Sequence, residues 1–517
     1  MDKIQILIAM VVYMAAVILI GVFYAKRANK SSEEYYLGGR SLGPWVTAMS
    51  AEASDMSGWL LMGLPGVAYW CVLADAAWTA IGLEICTYLN WLIVSKRLRR
   101  YSVRANNSIT LPEFFSNRFR EKKKTIMFIA AAFILVFFTV YASSCFVTCG
   151  KLFATLFDTN YQAMMIIGAV FVLVYTILGG FLAESISDFM QAIVMITALT
   201  VIVVIGTVKA GGLGAVVENA QNIPGFLDFF GIADPIEVNG YQVAEQTGVP
   251  VWGGAGDYTI LSICSCLAWG LGYFGMPQVL LRFMAIRKEE ELKRSRRIAM
   301  VWVVISLGVA VFIGIVGRQL FPIEHLTKSS AESIFITLST SFLPPLLAGF
   351  VMAGILAATI SSSDSYLLIA ASAFAKNIFQ GVCKKNATDK QVMVASRITL
   401  LVLALIGVII ALDEDSVIFN IVSFAWAGFG APFGPLMIFS LFWKRINKPG
   451  AIAGMISGAG MVFLWKLVIS KLGGAFAIYE LLPAFIFSCI CIVVVSLLTK
   501  APSKEIAEDF DAVKNGQ

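Results

Sequence analysis

The stretch AEASDMSG, Ala51 to Gly58, sets a carboxylate between serine hydroxyls inside an apolar run. Left ionised against lipid at mid-membrane, Asp55 would cost roughly 2.5 to 3.5 kcal/mol. It therefore needs a partner, and its sequence neighbours include no Lys or Arg. The hydroxyls of Ser54 and Ser57, with carbonyls freed by a helix break, form an all-oxygen environment, which suits a hard, small cation such as Na⁺. The bland alternative is a protonated aspartate making one interhelical hydrogen bond. A second oxygen cluster, Ser361-Ser362-Ser363-Asp364-Ser365, lies in ILAATISSSDSYLL. Small residues also serve close helix packing, but five consecutive polar residues with an acid among them exceed that need. Glu184 and Asp188 stand four apart on one helical face, and the deeper Asp188 is placed to approach Asp364. Trp269 and Tyr273, again i and i+4, face one way. With Tyr141 and FAWAGFGAPFGP (Phe424 to Pro435) they are expected to wall a small amphipathic pocket. Packing or an interfacial belt is the competing reading of those rings. All of this is binding chemistry.

Bond-making chemistry has little support. The single histidine, His325, falls in an expected external loop, and no HExxH motif is present. The nine cysteines are scattered. Cys264 with Cys266, and Cys489 with Cys491, lack the partner pairs of a zinc site. The chain is read as a non-enzyme.

The elements that position these residues follow from composition. Of 517 residues 58% are hydrophobic and 14% charged, which places the chain in a bilayer. Runs of roughly 20 apolar residues number about thirteen. They are expected to start at Gln5, Gly43, Ala76, Thr125, Gln162, Glu184, Tyr258, Ile298, Pro344, Gln391, Ser416, Gly450 and Tyr479. No alternating barrel pattern is present, so the fold class is an all-α polytopic membrane protein. The basic connections (Lys26 to Arg40, Lys96 to Lys124, Arg282 to Arg297, Lys376 to Arg397, Lys444 to Lys448, and the tail after Lys500) are read as cytoplasmic. The N-terminus is then outside, and Gly211 to Asp257 and Asp413-Glu414-Asp415 lie outside too. The net charge of +6 is this topological bias, and no nucleic-acid partner is implied.

Two spans carry Gly and Pro interruptions: the second, at Ser54 to Gly66, and the seventh, WGLGYFGMP from Trp269 to Pro277. Such breaks survive where they line a protein cavity. They begin two sets of five spans, 2 to 6 and 7 to 11. An odd repeat length inverts the second set, the arrangement of secondary transporters with a midplane site.

LGGRSLGPWVTAMSAEASDMSGWLLMGLPG, WGLGYFGMPQVLLRFMA, ILAATISSSDSYLL and FAWAGFGAPFGP resemble the sodium/solute symporter family, most closely its bacterial sodium/proline symporters. The likeness runs from about Leu7 to Ser503. It implies a LeuT-like 5+5 inverted repeat within one transporter domain, residues 1–503, with the repeats at 43–208 and 257–443. One N-terminal and two C-terminal helices are extra, and 504–517 form a short cytoplasmic tail. It further implies Na⁺ ligands at the carbonyls of Ala53, Met56 and Ala358 and the hydroxyls of Ser361 and Ser362, with Asp55 required for sodium coupling. Ser57, Gly58, Tyr141, Trp269, Tyr273 and Pro277 take the proline-site positions, and Arg40 a coupling position. Asp188, Asp364 and Ser365 are candidates for a second cation site like that of some non-proline relatives. The expected function is uptake of L-proline with Na⁺ across the bacterial cytoplasmic membrane by alternating access. The alternatives are a Na⁺ symporter for another small amino acid or carboxylate, or a non-transporting sensor. No obligate protein partner is implied.

Overall fold

The computed structural model describes residues 3–28, 30–71, 73–223, 225–245, 248–254 and 256–516. It is a helical bundle. In chain order the principal helices are α1 (Lys3–Ala28), α2 (Pro44–Gly58), α3 (Leu64–Trp70), α4 (Leu73–Leu89), α5 (Ser95–Arg104), α6 (Thr125–Phe157) and α7 (Tyr161–Lys209). There follow α8 (Ile260–Leu267), α9 (Pro277–Ala285), α10 (Leu292–Leu320), α11 (Pro345–Ser372), α12 (Asp389–Ile410) and α13 (Ile418–Phe442). The chain closes with α14 (Lys448–Leu467), α15 (Leu481–Leu498) and α16 (Lys504–Lys514).

Among the described residues ten helices are long and apolar enough to cross a membrane, and the bent α8–α9 pair raises the number to eleven. Two further expected spans fall short of that measure by themselves. Tyr161–Ile177 is a shorter apolar helix, and the segment from Pro44 to Trp70 is broken. The spans expected from Gln162 and Glu184 are joined without a loop. A single residue, Gly180, leaves helical geometry (φ 62°, ψ −179°) and turns the chain there. That backbone conformation suits glycine, which has no Cβ to clash.

Both expected interruptions are present. Ser57 departs from helical geometry at φ 47°, ψ −168°, and a five-residue π-turn, Trp59–Gly63, links α2 to α3. In the seventh span a tight 3₁₀ segment, Ala268–Phe274, ends at Gly275 and an extended Met276, after which Pro277 opens α9. The two halves are bent by 40°. Pro277 is at home there because the first helical position has no N–H bond to lose.

The core is the packing of α11 against α7, α6, α2 and α1. Nearly all of α11 from Val351 to Ser372 is buried, which explains why that helix lacks a polar stripe. Among the described residues the polar interval after Gly211 carries one nine-residue helix, Leu213–Gln221, and two antiparallel strand pairs, Gly231–Ile232 with Gly256–Asp257 and Glu237–Val238 with Tyr241–Gln242. The tail forms α16. It packs Ile506, Phe510 and Val513 inward and pairs Asp509 with Arg104 at 2.9 Å and with Arg120 at 2.8 Å.

Candidate functional site

Because α2 stops at Ser57, its last turn lies against the middle of α11. The Ser362 hydroxyl donates to the Ala53 carbonyl at 3.4 Å. Ser361 Oγ is buried with no hydrogen-bond partner among the described residues. An orphaned hydroxyl beside an interrupted helix is a costly arrangement, and a cation with several oxygen ligands removes that cost. Ala53, Met56, Ala358, Ser361 and Ser362 are all fully or almost fully buried.

Asp55 is 3% exposed. Its carboxylate accepts from the Gln278 amide on α9 at 3.1 Å. Its carbonyl accepts from the hydroxyls of Tyr141 at 3.3 Å and Tyr366 at 3.4 Å, two rings stacked 4.1 Å apart. The two broken helices are thus joined by a side-chain hydrogen bond at the acid that sequence singled out. Ser57 uses its hydroxyl to accept from the Trp59 N–H at 3.2 Å, closing the break.

A cavity of about 10 Å³, room for no more than about one water, is lined by Asp55, Met56, Trp59, Tyr141, Trp269 and Tyr273, with Trp426 beside them. A solute enters this space only when the walls move. One wall is a layer of rings: Trp269 lies 5.6 Å from Trp59, 4.9 Å from Phe419 and 5.0 Å from Tyr479. Beyond this layer a second cavity of about 300 Å³ opens between Trp70, Asp75, Lys328, Glu332 and Asn420, with Trp269 common to both.

Glu332 holds the lid. Its carboxylate accepts from Lys151 at 3.0 Å and from the backbone N–H groups of Ile418 and Phe419 at 2.9 Å each, at the N-terminus of α13. A carboxylate there satisfies otherwise orphaned donors and fixes Phe419 in the ring layer.

Toward the opposite end the site is sealed by polar groups. Arg282, fully buried on α9, binds Glu184, Asp188 at 3.1 Å, Ser365 at 2.9 Å and Ser50 at 3.0 Å, and donates to the Gln278 carbonyl at 3.2 Å. Arg282 is the first residue of the expected basic connection Arg282 to Arg297; it lies within α9, which continues past Gln278, so i+4 turns the guanidinium into the bundle. Asp188, Asp364 and Ser365, the candidate second cation group, therefore surround a guanidinium, while one oxygen of Asp188 and one of Asp364 have no partner among the described residues. Below Arg282, Arg40 clamps the chain at φ 51°. It donates to the carbonyls of Met284 at 2.5 Å and Ser108 at 2.8 Å and to the Asn107 side chain at 3.1 Å. Burial, with Arg99 adding, lowers its pKa to about 10, so it stays charged at neutral pH. Next to it, Leu42 N–H donates to Ala285 O at 3.2 Å and Arg287 N–H to Leu42 O at 3.0 Å, closing this end.

Tyr141, Trp269 and Tyr273 line the cavity. Ser57, Gly58 and Pro277 do not line it. Gly58 serves close approach: a Cβ there would sit 2.5 Å from Thr148 Oγ1 and 2.6 Å from its Cγ2. Gly58→Ala is expected to lower thermal stability by roughly 1 to 3 kcal/mol, the usual effect of overpacking, with partial recovery in Gly58→Ala/Thr148→Ala. A melting curve of each purified protein checks it, and no recovery in the double variant would place the strain elsewhere.

Sequence reasoning did not single out Trp59, Gln278, Tyr366 or Glu332. A usable signal existed for Gln278 and Arg282, a polar pair at i and i+4 directly after the break. Glu332 had none, because its partners come from α6 and α13, distant in sequence.

Two broken helices meeting at a closed, polar-floored pocket, with a ring lid at one end and an ion-paired seal at the other, define an alternating-access secondary transporter. Residues 35–458 match the model of the sodium:solute symporter family, and the chain belongs to that family. The osmoregulated proline transporter OpuE of Bacillus subtilis is 38% identical over 97% of this chain and 96% of its own. A sodium/proline symporter of Haemophilus influenzae is 41% identical over 98% and 97%. The high-affinity proline transporter PutP of B. subtilis is 39% identical over 96% and 98%. A solved Na⁺-coupled sialic acid symporter in a substrate-bound outward-open state superposes with a TM-score of 0.74 at 18% identity, covering 97% of this chain and 99% of that one. Mhp1, a nucleobase-cation-symport transporter, gives 0.53 at 12% identity over 92% and 98%. Both carry the LeuT-like fold. These likenesses establish architecture only.

Proposed function

We propose that this protein imports L-proline together with Na⁺. The single observation that carries the reading is the junction of α2 and α11, where the Ser362 hydroxyl meets the Ala53 carbonyl and the buried Ser361 hydroxyl has no partner. Full-length identity near 40% to proteins named as proline transporters supports the solute. Na⁺ held by the carbonyls of Ala53, Met56 and Ala358 and the hydroxyls of Ser361 and Ser362 ties α2 to α11. This organises the cavity wall carrying Asp55 and Met56. Ion and solute then favour the same state, and each raises the other's affinity. The solute's carboxylate seeks exposed N–H groups at a half-helix end, and the pyrrolidine ring lies against Trp269 and Tyr273. Small size and rigidity let proline fit where a longer side chain meets the ring layer. The driving force is the sodium gradient plus about 2.3 kcal/mol per charge per 100 mV.

In this reading thirteen spans place the N-terminus outside and the C-terminus in the cytoplasm, with repeats at 43–208 and 257–443. The Glu332 end is external and the Arg40 end internal. Cation binding by Asp188, Asp364 and Ser365 requires displacement of the Arg282 guanidinium, so one Na⁺ per cycle is the stoichiometry this geometry favours. Counterflow in proteoliposomes with a panel of labelled amino acids and carboxylates, with and without Na⁺, tests solute and ion together. Sodium-dependent exchange of proline above the rest of the panel is the expected result. Equal exchange in potassium or choline medium overturns the coupling.

Ser361→Ala/Ser362→Ala removes two of the five proposed ligands. The sodium concentration for half-maximal uptake is expected to rise by about tenfold or more, since each lost bond to a charged partner is worth about 1.5 to 3 kcal/mol. An unchanged value would place the ion elsewhere.

A further inference from the structure

On the basic face of the bundle, a groove of about 420 Å³ runs along the outside of the protein between α2, α7 and α10. Its body is apolar: Met49, Ile196, Ile298, Val301 and Ile305 line it, with Trp45 at one edge. Val301 is 63% and Trp45 48% exposed. The walls are pinned. Trp302 forms the floor and its indole N–H donates to the Ala192 carbonyl on α7 at 3.1 Å. At the groove's head Ser295 donates to the Pro44 carbonyl on α2 at 2.9 Å.

The head is cationic. Arg297 lines it and is exposed, with no hydrogen bond or ion pair among the described residues. The Arg294 guanidinium lies 5.9 Å over the Trp45 ring. The acid nearest in sequence, Glu291, is already engaged by Arg287 at 2.8 Å. A cationic head above a pinned apolar trough on the lipid-facing side is complementary to an amphiphile with an anionic head. Water gains nothing from so apolar a lining, and a neutral lipid leaves both guanidinium groups without a counter-charge. Basic pockets between spanning helices bind anionic headgroups for this reason.

We propose that this groove is a binding site for an anionic glycerophospholipid, with its phosphate on Arg297 and Arg294 and one acyl chain along Met49, Val301 and Ile305. The site bears on α2 itself, the half-helix that carries Ala53 and Asp55. It therefore couples lipid occupancy to the element that the transport cycle moves. The assignment is independent of which solute is carried.

The test is native mass spectrometry of the purified full-length protein. Lipid retention is compared after exposure to phosphatidylglycerol and to phosphatidylcholine of identical chains, with inorganic phosphate and glycerol phosphate as competitors. The wild type is expected to retain phosphatidylglycerol preferentially. Arg294→Gln/Arg297→Gln is expected to reduce that preference by about thirtyfold, the effect of removing two basic residues from an anionic surface. Val301→Trp, which fills the trough, is expected to reduce retention of both lipids. Both substitutions lie on the surface, and unchanged circular dichroism verifies the fold. Equal retention of the two lipids by the wild type, an unchanged preference in the double variant, or displacement by inorganic phosphate alone would each overturn the proposal. The last result would mean that the arginines bind an anion without the trough.

Discussion

Asp55→Asn is expected to abolish sodium-stimulated uptake, with the rate falling by about a hundredfold or more. The substitution preserves shape, and an amide oxygen still accepts from Gln278, which now sits 3.1 Å from the carboxylate. The charge alone is lost. At a separation of about 6 Å and an effective dielectric constant near 20, a carboxylate and a monovalent cation attract by roughly 3 kcal/mol, or about two orders of magnitude in binding. The α2 break at Ser57 and the rings of Tyr141 and Tyr366 engage only the Asp55 backbone. The variant is therefore expected to insert and fold normally. Uptake of labelled proline into membrane vesicles, normalised to the immunoblotted amount, measures the effect. Undiminished uptake would remove Asp55 from the mechanism.

The second large effect is expected at Arg282. Arg282→Gln leaves Glu184, Asp188 and Asp364 buried around a position with no cation, and removing one partner of a buried charge cluster typically costs about 3 to 5 kcal/mol. Thermal stability in detergent should fall accordingly. The closed end that depends on α9 packing against α2, α7 and α11 should also become leaky, seen as accelerated proline efflux from loaded vesicles. Arg282→Lys restores the charge but not the fork that reaches Glu184, Asp188 and Ser365 at once, so only partial recovery is expected. A variant as stable as the wild type would show that the carboxylates are neutral without the guanidinium. The seal would then be one of packing alone.

Most of the architecture was legible because hydropathy and charge act locally. A run of apolar residues reports a span wherever it lies in the chain, and Gly with Pro in such a run reports a broken one. AEASDMSG and WGLGYFGMP both became breaks, and the oxygen-rich face of α11 came to the first of them. The ends of elements were less legible. The spans expected from Gln162 and Glu184 are one helix bent at Gly180, because a single positive-φ glycine turns the chain without any polar loop to announce it. The expected short tail, 504–517, carries α16, whose docking no local pattern announces. Its acids find Arg104 and Arg120, residues roughly 400 positions away.

The sequence by itself determined that this chain lives in a membrane, where its helices break, and which acid and hydroxyls those breaks expose. Only the tertiary structure decided the partners. Gln278 as the donor to Asp55, Arg282 amid the carboxylates, Glu332 across the start of α13 and the ring lid of Trp59, Trp269 and Phe419 all join residues more than eighty positions apart. The physical reason is the range of the two signals. Periodicity and polarity are set by neighbours along the chain. A buried charge or an aromatic ring is satisfied by whichever helix the packing brings within about 3 to 6 Å, and nothing local to the residue records which helix that is.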